Sequence, residues 1–228
     1  VTGKNSMKRH GGLEKVLNSL KNEGINSLVF NKVSPNPKSD EVDEAIHLIN
    51  NNSYNLIIGL GGGSAIDAAK AISAGVNYES IREFIGGKSL EGNSLPVIAI
   101  PTTSGAGAEV TKGAIITDTK RNLKSGVRGS ALFPRVALVD PELTYSMPEG
   151  ITRETGFDAL THAIETYVSP KSTPITDLCS EEAMEIIYKY LPRAIENGMD
   201  KEAREKMALA SLMGGLNIAN TGTCLPHR

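Results

Sequence analysis

Tryptophan is absent from the 228 residues, and aromatic residues of all kinds make up only 4%. Such scarcity leaves no platform on which exposed bases could stack. Cysteine is almost as rare, with only Cys179 and Cys224. Two widely spaced thiols do not make a disulfide scaffold, and they fit a reducing, cytoplasmic setting. No apolar run approaches the ~18 residues of a spanning helix, and no secretory leader pattern is present. Charge of one sign is lacking too: 24 Lys and Arg face 26 Asp and Glu, for a net charge of -2. Neither a nucleic acid nor a membrane surface is therefore expected as a partner. What is present is ordinary for a folded protein, with 39% hydrophobic and 22% charged residues and 23 glycines. The length allows one large domain or two small ones. Val1-Thr2-Gly3-Lys4 reads like a strand end entering a loop, and Leu225-Pro226-His227-Arg228 carries no helix cap. The chain therefore reads as a piece of a longer polypeptide.

Apolar residues fall at helical spacing over 7–20 and 40–50 and after the glycines near residue 62. Between them, residues 27–30, 55–60, 95–100, 114–118 and 136–139 read as short strands. The run Asn55 to Leu60 is nearly all apolar, as in a strand buried on both faces of a parallel sheet. This alternation predicts an α/β fold with an open parallel sheet. Beyond Pro148 the pattern changes to long helical segments, 155–167, 175–194 and 201–219. The division expected is an α/β domain over 1–147 and an all-α domain over 148–228.

Three stretches carry chemistry. Asp158 and His162 stand four apart in TGFDALTHAIETY, on one helix face, where a carboxylate and an imidazole can grip one divalent cation. Taken alone, the spacing favours an ordinary helix-surface contact. Gly61, Gly62, Gly63 and Ser64 form a glycine turn between a strand and a helix, suited to bringing backbone N–H groups against a phosphate. Ser64 and Asp67 have the spacing of a capping box at the start of that helix. A second loop, PTTSGAGAEVT from Pro101, offers the Thr102 and Thr103 hydroxyls at another strand end. Lys124 follows an expected hairpin turn at 118–122, and matters only if the fold turns it toward a ligand.

Together these segments resemble the iron-dependent (group III) alcohol dehydrogenase family over essentially the whole chain. GGGSAIDAAK is similar to its nucleotide motif, PTTSGAGAEVT with Ile116-Thr117-Asp118 to its second loop, DPELTYSMP to its interdomain joint, and GFDALTHAIETYVS to its first metal motif. The resemblance implies a Rossmann-like parallel-sheet domain followed by a helical metal-binding domain, in a dehydroquinate synthase-like architecture. It implies Asp158, His162 and His227 as metal ligands and catalytic residues, with a fourth histidine beyond Arg228. Cys224, three residues before His227, is a weak rival ligand by its position alone. It implies cofactor contacts from Gly3, Asn36, Gly61, Gly62, Gly63, Ser64, Asp67, Thr102, Thr103, Lys124 and Leu143.

The implied activity is hydride transfer between NAD(P)(H) and a small primary alcohol or aldehyde, in a homo-oligomer such as a dimer. A mixed oxygen and nitrogen donor set suits Fe(II), or alternatively Zn(II). NADP(H) is expected in preference to NAD(H). NAD-preferring members of the family carry an Asp just after the first Val-Thr, whereas this chain has Gly3 followed by Lys4. Three other readings stay open. One is a glycerol dehydrogenase-like or dehydroquinate synthase-like enzyme of the same superfamily. The second is a nucleotide-binding fragment without catalysis. The third is an interaction protein with a bared apolar face.

Overall fold

The computed structural model describes residues 1–224 and 227. Its contacts fall into two compact units, one of residues 1–100 and 112–138, the other of residues 101–111 and 139 onward. Each has its own hydrophobic core.

The first unit is α/β. Helices α1 (Ser6–Arg9) and α2 (Gly12–Asn22) replace the single helix expected over 7–20. Gly11 breaks it, with φ 73° in the left-handed region that glycine enters without a Cβ penalty. Helix α3 (Ser39–Asn50) follows, then β1 (Ile57–Gly61), α4 (Gly63–Gly75), β2 (Val97–Pro101), β3 (Gly113–Asp118), β4 (Leu123–Arg128) and β5 (Val136–Ala137). The strands β1, β2 and β5 form one sheet in that order, with β2 and β5 parallel and Ile98 opposite Val136. The strand expected over 27–30 does not form. One backbone hydrogen bond, Thr2 N–H to the Phe30 carbonyl at 2.9 Å, ties this segment to the start of the chain, where only isolated bridges occur. The segment 114–118 is a strand, but it leaves the parallel sheet. It pairs antiparallel with β4, Asp118 opposite Leu123. Only four residues join the two strands, too few for a parallel crossover, and Asp118 fixes the turn by accepting the Lys120 and Arg121 N–H groups.

Helix α4 packs on β1 and β3. Its buried Ala68, Ala69, Ala71 and Ile72 join Val42, Ile46, Ile57, Ile116 and Leu132 in the core. The expected Ser64–Asp67 capping box is not made. The helix starts at Gly63 with Gly62 as N-cap and no side-chain cap, so Ser64 already lies in the first turn. Ser64 Oγ instead accepts the Asn36 N–H at 3.3 Å. Asp67 accepts the Ile115 N–H at 2.9 Å and pairs with Lys70 at 3.1 Å, tying α4 to the hairpin.

The second unit is three long helices, α5 (Glu149–Tyr167), α6 (Pro174–Glu196) and α7 (Lys201–Thr221), each longer than its apolar pattern suggested. Their starts are marked by the residues that precede them. Thr173 accepts the Thr176 N–H ahead of α6, Asp200 accepts the Ala203 N–H ahead of α7, and Pro148 precedes α5. The two side-chain caps, Thr173 and Asp200, are each worth about 1 kcal/mol. The three helices pack on one another through small residues. Ala159, Ala163, Ala183, Ala194, Ala203 and Ala210 interleave with Ile187, Leu191 and Met207. Arg204 is 1% exposed. It donates to Thr152 Oγ1 at 2.9 Å and to the carbonyls of Gly198 and Met147, joining the starts of α5 and α7. The loop 101–111 belongs to this unit, and its short turn Ala108–Val110 packs on α7. Among the described residues no helix is long and apolar enough to cross a membrane.

Candidate metal centre

Three residues on one face of α5 organise the site. Asp158, His162 and Glu165 occupy positions i, i+4 and i+7, so their side chains stack along a single stripe. Ala159 and Ala163 on the neighbouring stripe are fully buried against α6 and α7, which sets the rotation of α5.

Asp158, His162 and His227 each offer one donor atom, and the three donors lie within 4.8 Å of one another. Asp158 Oδ1 is 3.8 Å from His162 Nε2 and 3.2 Å from His227 Nε2. For metal–ligand bonds of about 2.1 Å, two donors of a tetrahedral ion stand about 3.4 Å apart. The observed separations bracket that figure, so the donor set fits a divalent cation. The two imidazoles face each other with ring centres 4.4 Å apart and planes tilted by 33°.

Both rings are held from behind. His162 Nδ1 lies 3.2 Å from the Gly105 carbonyl, to which it donates. His227 Nδ1 lies 2.6 Å from Glu165 Oε1. Each contact occupies Nδ1 and leaves Nε2 toward Asp158. Burial pushes the His162 pKa down, against the opposing pull of the Asp158 charge, which favours the neutral ring that a metal requires. For His227 burial also opposes protonation, but hydrogen bonds to Glu165 and Asp158 outweigh it and raise the pKa.

Glu165 and the Gly105 carbonyl escaped the sequence reading. Glu165 carried a signal, since it continues the Asp158–His162 stripe by three residues. The Gly105 carbonyl carried none, because nothing local places that loop against α5. Cys224, considered as a rival ligand, stands outside the three-donor cluster. Its Sγ donates to the Glu165 backbone carbonyl at 3.4 Å.

Of the cofactor residues expected, the first unit brings three into one hydrogen-bonded chain. Lys124 Nζ donates to Asn36 Oδ1 at 2.8 Å, and Asn36 N–H donates to Ser64 Oγ. Asn36 has φ 54°, a turn conformation that asparagine tolerates. Gly61 ends β1 at φ 147°, and a Cβ there would lie 2.8 Å from the Ala65 Cβ, so the turn into Gly62, Gly63 and α4 requires glycine. Asp67 is engaged with Ile115 and Lys70, and Gly3 bridges to Val33. Thr102, Thr103 and Leu143 lie in the second unit. Thr102 is buried, and Leu143 sits half-buried in the short turn Pro141–Thr144.

The model of the iron-containing alcohol dehydrogenases matches residues 1–141, and that of the C-terminal part of the same family matches residues 152–228. The NAD-dependent methanol dehydrogenase of Bacillus methanolicus is 41% identical over 94% of this chain and 56% of its own length. An iron-containing alcohol dehydrogenase from Thermotoga maritima superposes with a TM-score of 0.91 at 42% identity, over 99% of this chain and 62% of that one. The sulfoacetaldehyde reductase of Bifidobacterium kashiwanohense, solved with NAD+, gives a TM-score of 0.92 at 39% identity, over 97% and 59%. The chain thus spans a little over half the length of these relatives. With both parts of the family pattern matched in order, the chain belongs to the iron-containing alcohol dehydrogenase family.

Proposed function

We propose that the protein carrying this chain is a metal-dependent oxidoreductase that moves a hydride between NAD(P)(H) and a small primary alcohol or aldehyde. The observation that carries this reading is the convergence of Asp158, His162 and His227 within 4.8 Å in a member of this family. Relatives named for methanol and for sulfoacetaldehyde support a small substrate without choosing one.

Asp158, His162 and His227 would hold the metal, Fe(II) or Zn(II). When bound, the metal supplies Lewis acidity at the substrate oxygen, and the nicotinamide supplies or accepts the hydride. The chain's own part is placement. Asp158 brings a carboxylate, and burial favours the neutral form of His162, whose Nε2 can donate its lone pair. Gly105 and Glu165 hold the two rings by their far nitrogens. On the cofactor side, the uncapped N-terminus of α4 offers backbone N–H groups to a pyrophosphate. Asn36, Ser64 and Lys124 add a linked set of polar groups and one cation beside it. Thr102, Thr103 and Leu143 are proposed as further cofactor contacts.

NADP(H) is proposed as the preferred cofactor because Gly3 brings no carboxylate where NAD-preferring members carry one. The methanol dehydrogenase relative is itself named as NAD-dependent. The same proposal includes a nucleotide-binding part over 1–147, a metal-binding part over 148–228, and a cytoplasmic homo-oligomer, in keeping with two unpaired cysteines.

The test is His162→Ala in the full-length protein. Metal content by elemental analysis and NAD(P)H formation from a panel of short primary alcohols should both fall to background. Stoichiometric metal with activity retained would sink the assignment. Cofactor binding without turnover of any alcohol in the unaltered protein would favour a nucleotide-binding role.

A further inference from the structure

Glu165 is 3% exposed, and its carboxylate is fully engaged. Oε1 accepts the His227 Nδ1–H at 2.6 Å, and Oε2 accepts the Cys224 N–H. Its backbone carbonyl accepts the Cys224 Sγ–H. One residue of α5 thereby grips both the segment that carries His227 and the ring itself. Burying a carboxylate is costly unless it is well hydrogen-bonded, and these partners are what make the burial tolerable.

The neutral His227 ring has one N–H and two carboxylates competing for it. Asp158 Oδ1 stands 3.2 Å from Nε2, with its side chain 37% exposed to water. Glu165 Oε1 stands 2.6 Å from Nδ1 and is dry. The shorter contact in the drier setting is the stronger one. The proton therefore rests on Nδ1, and the Nε2 lone pair points into the donor cluster.

We propose that Glu165 is a positioning residue for the metal centre, selecting the His227 tautomer whose Nε2 can bind a metal and fixing the direction of that ring. This rests on the reading of Asp158, His162 and His227 as the metal ligands. Glu165 itself lies behind His227 and is not among the three clustered donors. Without it, Asp158 would draw the imidazole proton to Nε2 and close that nitrogen to a cation.

The experiment compares the full-length protein with Glu165→Gln, which keeps size and shape, and Glu165→Ala. Two quantities are read. One is the dissociation constant for Zn(II), by competition with a chromophoric chelator. The other is the His227 tautomer in the metal-free protein, from long-range 1H–15N correlations at alkaline pH, where the ring is neutral. The expected result is Zn(II) binding weakened about 10- to 100-fold in Glu165→Gln, with the proton moving from Nδ1 to Nε2. Unchanged affinity overturns the proposal. So does weakened affinity with the Nδ1–H tautomer intact, since the loss would then be merely structural. His162→Ala is the companion control. If it keeps tight Zn(II) binding, the ligand reading fails, while the tautomer measurement still judges the grip of Glu165 on His227.

Discussion

His162 Nδ1 and the Gly105 carbonyl are 3.2 Å apart, so a loop 57 residues earlier in the chain holds a ring of the candidate metal centre. The loop comes this close because residue 105 has no side chain. A Cβ there would lie 2.7 Å from both the Thr155 Cβ and the Thr155 backbone oxygen. The helix backbone cannot yield, so Gly105→Ala should push the loop off α5 and loosen the His162 ring. Overpacking of this kind costs about 1–3 kcal/mol. Thermal unfolding should show a lower Tm, and a Zn(II) titration should show weaker binding. If both are unchanged, the Gly105 carbonyl is not what orients His162.

Much of this arrangement could be read from the chain itself. Apolar periodicity located α3, α4, α5, α6 and α7, and the run ending in Gly59-Leu60 located β1, because burial imposes those patterns directly. Asp158 and His162 were legible because four residues on a helix is a fixed geometry. The errors lie where long-range pairing decides. Residues 27–30 have an apolar strand-like composition but find no continuous partner ladder, only the contact with Thr2. Residues 114–118 were grouped with the strands of the parallel sheet, yet they pair instead across the hairpin turn expected at 118–122, which Asp118 holds. Ser64 has capping-box spacing from Asp67, yet the helix starts before it and Asp67 goes to the hairpin instead. Glu165 was visible as a position but not as a function, because its partners His227 and Cys224 are about sixty residues away.

The glycine turn gives a second prediction. Gly62 has φ -73°, a value open to any residue, so Gly62→Ala does not strain the backbone. It does place a methyl where the backbone should approach a pyrophosphate. Fluorescence titration with NAD(P)H should show affinity falling about tenfold or more, equivalent to at least ~1.4 kcal/mol, while the unfolding temperature holds. Equal dissociation constants would mean the pyrophosphate lies elsewhere.

Asp118 sets a pH dependence in the first unit. Its carboxylate is 1% exposed. The Arg121 side chain, aided by the Arg121 and Lys120 N–H groups and opposed by burial, holds its pKa below the ordinary 3.8. A carboxyl whose pKa is depressed on folding stabilises the fold at all pH values above its unfolded pKa. That contribution fades as pH falls below the unfolded value and through the folded one. Asp118→Asn should therefore lower Tm at neutral pH, and the gap to the unaltered protein should narrow below pH 3.8. A gap that is constant with pH would show that Asp118 acts through shape alone.

The proposed preference for NADP(H) makes a prediction at the start of the chain. Thr2 bridges to Leu60 at the end of β1, and Gly3 bridges to Val33. Residue 3 therefore follows an isolated parallel bridge to the end of β1, and a dinucleotide fold reads the adenosine ribose at such strand ends. A carboxylate there would accept from the 2′-hydroxyl and repel a 2′-phosphate. Gly3 does neither. Lys4 adds a positive charge whose field also reaches Glu41, the carboxylate that holds the Ser34 and Lys38 N–H groups. The position can take a side chain, since the nearest atom to a Cβ on Gly3 is the Val33 oxygen at an ordinary 3.8 Å. Gly3→Asp is thus expected to fold and to change only what the loop recognises. In the full-length protein, kcat/KM should favour NADPH over NADH. Gly3→Asp should cut NADPH use about tenfold or more, a loss of at least ~1.4 kcal/mol in transition-state binding, and spare NADH. A clear NADH preference in the unaltered protein, or NADPH use that survives the new carboxylate, would mean that residue 3 does not choose the cofactor.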